Sequence, residues 1–319
     1  MYIDLILDTL FLMEETMKYN MFAFSITFIS IVIGSSSYSV DQKEARKIVP
    51  TKPSIERIAE DLIVGPEDSV IDDSGTIYTG LADGRIISMK RDGSGFRTIV
   101  NTQGRPLGID IDQNRNLVVC DAPNGLLKID MNGKITVLSK EQGGLPINYA
   151  DDLDIAKNGK IYFTDASWKY SIKQTSKDYG QTNGRLLMYD PASGETTLLL
   201  DSLGFANGVA LSPDNSFVLV NETWKQRVTR YWLKGEKKGQ YDVFVEVEGN
   251  PDNINANKDG TYWLALFGKE IVKLDKQGKI IRKIETGMTY RAATNGREYE
   301  GKLYLGSINE KGIGIINLD

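Results

Sequence analysis

The sequence predicts an all-β fold, a six-bladed β-propeller, from three observations. From Thr51 onward, short apolar or alternating runs typical of strands are separated by Gly, Asn and Asp, and no long helical period occurs. Turn units such as Asp72-Asp73-Ser74-Gly75 and Asn257-Lys258-Asp259-Gly260 recur about every 40–45 residues, with one longer interval. Five such units, together with the strands that follow the last of them, make six blades of four short strands.

The sixth unit lacks one strand. Its predicted strands cover residues 290–293, 302–306 and 312–318. Residues 54–58 (SIERI) precede the first unit and have no other partner, so we predict that they pair with residues 312–318 and complete the last blade. Closure of this kind removes an open sheet edge. The predicted domain covers residues 40–319, and a two-sheet sandwich, the alternative, does not explain the repeat.

The first part of the chain has the layout of an export signal. Residues 21–34 are apolar and uncharged, Lys18 precedes them, and small polar residues follow. The run is shorter than the roughly 20 residues that a membrane span needs. We therefore predict that residues 1–39 are a signal peptide or an N-terminal membrane anchor. The protein is expected to be secreted or periplasmic, or anchored facing outside; a buried helix is the alternative.

Two residue counts restrict the chemistry. The chain has no histidine, which excludes Ser-His-Asp and Cys-His mechanisms and His-ligated zinc. Its single cysteine, Cys120, excludes an intrachain disulfide. The 38 Lys and Arg against 43 Asp and Glu give a net charge of -5, which argues against a nucleic-acid partner. Hydrolysis would have to use carboxylates, amides, Tyr, Lys or a hard metal.

The repeat defines a register that points to a metal site. A fixed step back from the last turn residue of each unit reaches the start of the predicted inner strand, at Glu67, Leu107, Asp151, Asn207 and Asp252. Equivalent positions in a propeller surround its channel at one depth, and all but Leu107 carry a carboxylate or an amide. Oxygen-only ligation suits calcium.

We therefore predict one calcium ion held by Glu67, Asn207 and Asp252, with Asp151 or Asn253 completing the shell. The alternative is that Asp and Asn at strand starts are only turn formers.

The loops after the second strands lie on the same face as this predicted site. The longest, residues 167–184, carries Trp168 and Tyr170. Together with Leu107, Trp224 and Phe267 these aromatic residues predict an apolar-walled pocket over a polar floor, the usual form of a small-molecule site. The alternative is that the aromatic residues only cover the top of the propeller.

Several ordered motifs resemble one family. They are GPED (residues 65–68), GRPLGI (104–109), DDL (151–153), KIYFTD (160–165), GRLL (184–187), FANGVALSP (205–213) and PDNI (251–254). The chain resembles the strictosidine synthase-like family, in particular its adipocyte plasma membrane-associated protein branch, from about residue 54 to the end. That family is related to paraoxonases and gluconolactonases, which share its propeller.

The resemblance implies a central calcium site and hydrolysis of lactones or aryl esters in many members. Paraoxonase ligand motifs match at Glu67, Asn207, Asp252 and Asn253, and Asp151 stands where an Asn is usual. The gluconolactonase set corresponds to Glu67, Asn207 and Asp252. A second, structural calcium would involve Asp68 and Asp152.

Two departures from the family patterns matter. Leu107 occupies the position at which paraoxonases have a histidine, so their histidine-based mechanism is absent. Arg291 aligns with the catalytic Glu of strictosidine synthase, which disfavours amine–aldehyde condensation.

The sequence thus predicts an exported, calcium-dependent hydrolase of lactones or aryl esters. The metal would act as a Lewis acid, and Asp252, or else Asp151, would take the proton from the attacking water. A non-catalytic propeller with structural calcium that binds a ligand or a protein is the alternative, and strictosidine-type condensation is a third possibility.

Overall fold

Six blades surround one channel, as predicted. The computed structural model describes residues 48–287 and 290–318. The predicted signal peptide or anchor at residues 1–39 lies outside this range. Each blade is a four-stranded antiparallel sheet. In the first five blades the strands follow one another from the channel to the rim, and in the sixth the outermost strand comes from the start of the chain. The alternating and apolar runs become these strands because each one packs both faces against neighbouring blades.

The first three blades are built in chain order, and a small hairpin follows the second of them. The first strand of the chain, β1 (Glu56–Ile58), belongs to the last blade. The next strands are β2 (Ser69–Ile71), β3 (Thr76–Gly80), β4 (Arg85–Lys90), β5 (Arg97–Asn101), β6 (Pro106–Ile111), β7 (Leu117–Asp121), β8 (Gly125–Ile129), β9 (Ile135–Ser139), the hairpin β10 (Glu141–Gln142) and β11 (Leu145–Pro146), β12 (Ala150–Ile155), β13 (Ile161–Asp165), β14 (Gly184–Asp190) and β15 (Glu195–Leu203).

The remaining blades follow the same plan. Their strands are β16 (Ala206–Leu211), β17 (Phe217–Glu222), β18 (Arg227–Trp232), β19 (Tyr241–Glu246), β20 (Pro251–Ala256), β21 (Tyr262–Leu266), β22 (Glu270–Leu274), β23 (Ile280–Glu285), β24 (Ala293–Tyr299), β25 (Lys302–Ser307) and β26 (Ile313–Asn317). The helices are short: 3-10 turns at Ile172–Gln174 and Thr223–Lys225, and an α-helix at Thr175–Asp178. Among the described residues, no helix has the length and apolar character needed to cross a membrane.

The predicted closure of the ring is confirmed. Strand β1 pairs antiparallel with β26, and Glu56 faces Ile315 while Ile58 faces Ile313. The side chain of Ile58 is buried in a core cluster that also contains Ile313 and Tyr304. The N-terminal strand therefore supplies both the backbone pairing and part of the core of the last blade.

The inner strand of the sixth blade lies later in the chain than predicted. It spans Ala293–Tyr299, not residues 290–293. Tyr290 is instead buried ahead of the strand, and its hydroxyl donates to the carbonyl of Gly312 at 2.9 Å. The strand carries Asn295 and Arg297, polar residues that face the channel, and their polarity conceals the strand in a hydrophobic pattern.

The apolar cores lie between neighbouring blades. One cluster joins Ala210 and Leu219 of the fourth blade to Ile254 and Leu264 of the fifth. Burial of such residues contributes roughly 25 cal/mol for each Å² of apolar surface removed from water. This packing holds the inner strands close together around the channel, where the polar residues lie.

Candidate metal centre and channel mouth

Five of the six inner strands begin with an irregularity that directs two consecutive residues toward the channel. The pairing register shifts at the start of β6, β12, β16, β20 and β24. In a β-bulge two residues oppose one on the partner strand, which re-aims their side chains. This explains why adjacent residues such as Asp151 and Asp152 both take part in the channel network.

The predicted ligands meet in one upper ring. Glu67, Asp151, Asn207 and Asp252 are only 3%, 4%, 6% and 8% exposed. The Asn253 side-chain N–H donates to Glu67 Oε1 at 2.8 Å. The side chain of Asn207 hydrogen bonds to Asp252. The structure therefore brings together the residues that the register singled out, from four different blades.

The acids of the upper ring disfavour one another's charge. Burial, followed by the charges of Asp252 and Asp68, raises the pKa of Glu67 well above its usual value. Burial, followed by the charges of Glu67 and Asp252, does the same to the pKa of Asp151. Burial raises the pKa of Asp252 to about 8, although the Asn207 side chain partly offsets this. The ring therefore favours either protonation or a bound cation.

The unpartnered atoms of the ring fit a hard cation. Glu67 Oε2, Asn207 Oδ1 and Asn253 Oδ1 are buried and have no hydrogen-bond partner among the described residues. Both amides give their N–H groups to carboxylates and leave their carbonyl oxygens free, which is the orientation a calcium ion would need. Within the described ranges, no group of three or more acidic or cysteine side chains could hold a metal ion. A cation here would thus depend on the amide oxygens.

Side chains on the second strands fix the backbone of the ring from the preceding blade. The hydroxyl of Thr164 donates to the carbonyl of Asn207 at 2.7 Å. The thiol of Cys120 donates to the carbonyl of Asp152 at 3.4 Å, and the side-chain amide of Asn221 donates to the carbonyl of Asp252. The buried thiol of Cys120 therefore links two blades, and so does the buried side chain of Asn221.

Asp68 and Asp152 lie next to the upper ring and form a lower ring with Asn295, whose side chain donates to Asp68. Asn253 occupies the equivalent position of its strand, but its side chain joins the upper ring through Glu67. Both acids are buried, at 3% and 4% exposure. The corresponding residues of the second and fourth blades are Gly108 and Gly208. A Cβ atom on Gly108 would lie 2.6 Å from Asp152 Cα, so the close approach of these strands requires glycine.

The channel has a third level of polar residues, which was not predicted from the sequence. Asp110, Asp154, Asn255 and Arg297 lie two residues beyond the lower-ring positions of their strands. Burial, and then the charge of Asp110, raises the pKa of Asp154 to about 7. The period of two along a strand carries the signal for this level, because alternate residues face the same side.

The mouth of the channel is covered by an apolar cluster that includes two of the predicted pocket residues. Leu107 is 1% exposed and packs with Tyr149 and Phe205, and Trp224 packs against the same cluster. The rings of Phe205 and Trp224 are 4.7 Å apart, and those of Trp224 and Tyr179 are 5.2 Å apart. A row of contacting aromatic rings therefore extends from the buried Phe205 to the exposed Tyr179.

The other predicted pocket residues lie outside this cluster. Trp168 and Tyr170 are partly buried on the long third-blade loop, and Phe267 is 41% exposed. The loop is organised around the buried carboxylate of Asp178, which the sequence analysis missed. Asp178 accepts hydrogen bonds from Ser167, Asn183 and Trp224, at 2.9, 2.8 and 3.4 Å.

Two more residues that the register did not identify reach the ring from the mouth. The Arg105 guanidinium donates to the carbonyls of Pro106 at 3.2 Å and Ile308 at 3.1 Å, so it spans from the second blade to the sixth. Its charge lowers the pKa of Glu67, which partly offsets burial. Burial, followed by the charge of Asp151, raises the pKa of Tyr149 well above its usual value. A cation and a phenol thus lie beside the acids.

The raised pKa values mean that any divalent cation in the upper ring, calcium included, should bind more tightly as pH rises. The pKa values of Glu67, Asp151 and Asp252 are raised, so near neutral pH the ring holds protons that a cation must displace. With the pKa of Asp252 at about 8, most of the rise should fall between about pH 6 and pH 9. Calorimetric titrations in buffers of different ionisation enthalpy would count the protons released. An affinity that is constant over this range would contradict the prediction.

The same raised pKa values determine how the stability of the calcium-free protein changes with pH. Because the native ring binds protons more tightly than the unfolded chain, its stability should fall as pH rises from about 4 towards 8. Added calcium should reverse this loss, which thermal melts with and without chelator at pH 5 and pH 9 would measure.

Sequence comparison finds two family profiles in the chain. The profile described as strictosidine synthase matches residues 151–236, and that of the strictosidine synthase-like N-terminal region matches residues 53–89. Protein STRICTOSIDINE SYNTHASE-LIKE 6 of Arabidopsis thaliana is 39% identical over 254 residues, covering 76% of this chain and 67% of the relative. The adipocyte plasma membrane-associated protein of Salmo salar is 32% identical over 317 residues, covering 79% and 75%.

Solved structures share the fold at low identity. A gluconolactonase from Xanthomonas campestris superposes with a TM-score of 0.69 at 19% identity, covering 86% of this chain and 99% of that one. Regucalcin, a calcium-binding protein from Agrobacterium tumefaciens, superposes with a TM-score of 0.64 at 16% identity, covering 82% and 90%. These structural likenesses establish a common propeller architecture.

Proposed function

The chain belongs to the strictosidine synthase-like family, and on that premise we propose that its channel is a calcium-dependent hydrolytic site for small lactones or aryl esters. The observation that carries the proposal is the set of unpartnered buried oxygens on Glu67, Asn207 and Asn253 beside the acids Asp151 and Asp252. Buried charge of one sign is stable only when it is paired, coordinated or neutralised. The likeness of the fold to a gluconolactonase and to a calcium-binding regucalcin supports the same choice of ion and reaction class.

We assign the residues of the upper ring two roles, metal ligation and acceptance of a proton from water. Glu67, Asn207 and Asp252 would hold the calcium ion, with Asp151 or Asn253 completing the shell. Calcium, when bound, supplies a Lewis acid for an ester carbonyl. Asp252 would accept the proton of the attacking water, since it is the most exposed acid of the ring at 8%. Asp151 is the second candidate for this base.

Arg105 and Tyr149 would complete the site from the mouth side. Two of the five guanidinium N–H groups of Arg105 are bonded to carbonyls, which leaves donors for a negatively charged oxygen. The raised pKa of Tyr149 keeps its phenol protonated and able to donate. Donors fixed in advance in this way stabilise charge that develops in a transition state.

Arg105→Met is expected to lower kcat by about 10²–10³, the usual effect of losing one donor to a developing oxyanion. Calcium stoichiometry should stay the same, because Arg105 contributes no oxygen ligand. Arg85→Met is the matched control, since Arg85 is a surface arginine paired with Asp83 at 2.8 Å. Equal rates in the two variants would contradict the role of Arg105.

A non-catalytic propeller that binds a ligand or a protein is the second candidate. The observation that favours it is the closed mouth, where Leu107 is 1% exposed beneath Tyr149 and Phe205. The calcium ion would then be structural. Condensation of the strictosidine type has no comparable support, because Arg291 is exposed and precedes the inner strand.

A panel of lactones and aryl esters, assayed with calcium and with chelator, separates the two candidates. Hydrolysis that is lost in chelator and restored by calcium supports the enzyme. Calcium binding without turnover of any member of the panel supports the binding module.

For the N-terminal region we propose export or outward-facing anchoring. The proposal is based on the apolar run at residues 21–34, and fractionation of cells that express the full chain tests it.

A further inference from the structure

The lower half of the channel does not fit the second calcium ion that the family resemblance implies. That ion would be held by Asp68 and Asp152. Asp68 Oδ1 accepts hydrogen bonds from the Ser69 amide at 2.7 Å and from the Asn295 side chain, and Oδ2 accepts one from the Ile109 amide at 3.2 Å.

The carboxylate of Asp152 is satisfied in the same way. Its Oδ1 accepts from the Leu153 amide at 2.8 Å, and its Oδ2 accepts from the Val209 amide at 2.9 Å. All four carboxylate oxygens of Asp68 and Asp152 therefore have protein partners. The upper ring is different, because Glu67, Asn207 and Asn253 each keep an oxygen without one.

A protein cation already lies in the lower half. Arg297, on the inner strand of the sixth blade, places Nη2 3.9 Å from Asp68 Oδ1. Its side chain is 28% exposed, and its Nε is buried without a hydrogen-bond partner in the described chain. After burial, which raises them, the strongest influence on the pKa values of Asp68 and Asp110 is the lowering effect of Arg297, and this charge also lowers the pKa of Asp154. The guanidinium thus lies beside an acid of the first blade, and its charge also acts on acids of the second and third blades.

We propose that the Arg297 guanidinium takes the place of the second cation, so that this chain binds a single calcium ion in the upper ring. The claim that one calcium ion binds in the upper ring rests on the proposed function. The claim that Arg297 replaces a cation in the lower half does not. A guanidinium keeps its charge at every physiological pH and is held in place by the chain. A divalent ion beside Asp68 would meet this like charge at close range, and Coulomb repulsion would oppose its binding.

The first experiment counts calcium ions on the unmodified protein. The full chain is stripped with chelator, dialysed, titrated with calcium in a calorimeter, and checked by elemental analysis. One equivalent is expected. Two equivalents would overturn the inference while leaving the proposed function intact. If no calcium binds, the proposed function loses its metal, and the role of Arg297 is decided by the second experiment.

The second experiment removes the internal cation. Arg297→Met leaves Asp68, Asp110 and Asp154 without it, and the loss of one partner from a buried charge cluster is strongly destabilising. We expect the melting temperature in chelator to fall by roughly 5–10 °C. Arg85→Met, which removes a partly exposed ion pair, should melt within about 2 °C of the unmodified protein.

A second variant, Arg297→Lys, separates loss of the charge from a general failure to fold. Arg297→Lys keeps the charge but not the planar fork, so it should recover at least half of the loss. An Arg297→Met protein that melts with the unmodified protein would overturn the inference. So would an Arg297→Lys protein that is no better than the Met variant, because the loss would then come from packing.

Discussion

Replacing Asp252 with asparagine is expected to lower kcat/KM for lactone or ester hydrolysis by about 10²–10⁴, the range for a lost general base. The asparagine keeps the shape of the side chain and an oxygen for the metal. It cannot accept a proton, however, so water activation should stop even when calcium is saturating. Steady-state rates at increasing calcium concentration measure the effect.

Glu67→Gln is the matched control for this prediction. Glu67 also lies in the upper ring, but it is more deeply buried, at 3% against 8% for Asp252. Its replacement removes ligand charge and should weaken calcium binding, and excess calcium should then restore much of the activity. If excess calcium also restores Asp252→Asn, Asp252 is only a ligand and Asp151 becomes the candidate base.

Replacing Arg185 with methionine is expected to destabilise the protein by about 3–5 kcal/mol, the range for breaking a buried ion pair from one side. Arg185 Nη2 lies 2.6 Å from Asp165 Oδ2, and the two side chains are 2% and 0% exposed. The same nitrogen donates to the carbonyl of Pro146 at 2.6 Å. Asp165 accepts the amide of Tyr149 at 3.0 Å, so this pair also anchors a segment of the mouth.

The destabilisation caused by Arg185→Met should be larger at high pH than at low pH. Burial raises the pKa of Asp165 to about 6 even with Arg185 present, and without the arginine the pKa should rise further. Below that pKa the acid is neutral and its burial costs less, so Arg185→Met should be more destabilising at pH 8 than at pH 5.

Denaturant titrations at the two pH values measure the difference, and Arg85→Met, which breaks a partly exposed ion pair, is the control. A loss that is the same at both pH values would mean that Arg185 contributes packing and not charge. Pairing Arg185→Met with Asp165→Leu should recover part of the stability, because it removes the unpaired charge.

Periodicity along the chain was enough to predict the architecture and to group the residues of the upper ring. Turn units at a near-constant interval define blades, and the fixed step from each turn to the start of its inner strand places equivalent residues at one depth. Glu67, Asp151, Asn207 and Asp252 could therefore be grouped without coordinates. The missing strand of the last blade likewise required a partner, and β1 provides it. The fold and its closure are confirmed because both follow from the spacing and number of strands, which can be counted along the chain. The role of the grouped residues as metal ligands stays a prediction.

The long side chains that join the channel could not be predicted from the repeat. Arg105, Tyr149 and Arg297 reach across blade boundaries, and no register along one strand reports where such a side chain ends. The polarity of β24 hid the sixth inner strand, since its residues face charged groups that are distant in sequence.

The balance of charge in the channel likewise depends on distances between blades. Asp68 and Asp152 have the same residue types as the upper-ring acids, yet backbone amides from neighbouring strands satisfy their oxygens. Coulomb energy and hydrogen bonding depend on separation in space, and only the closed ring sets that separation.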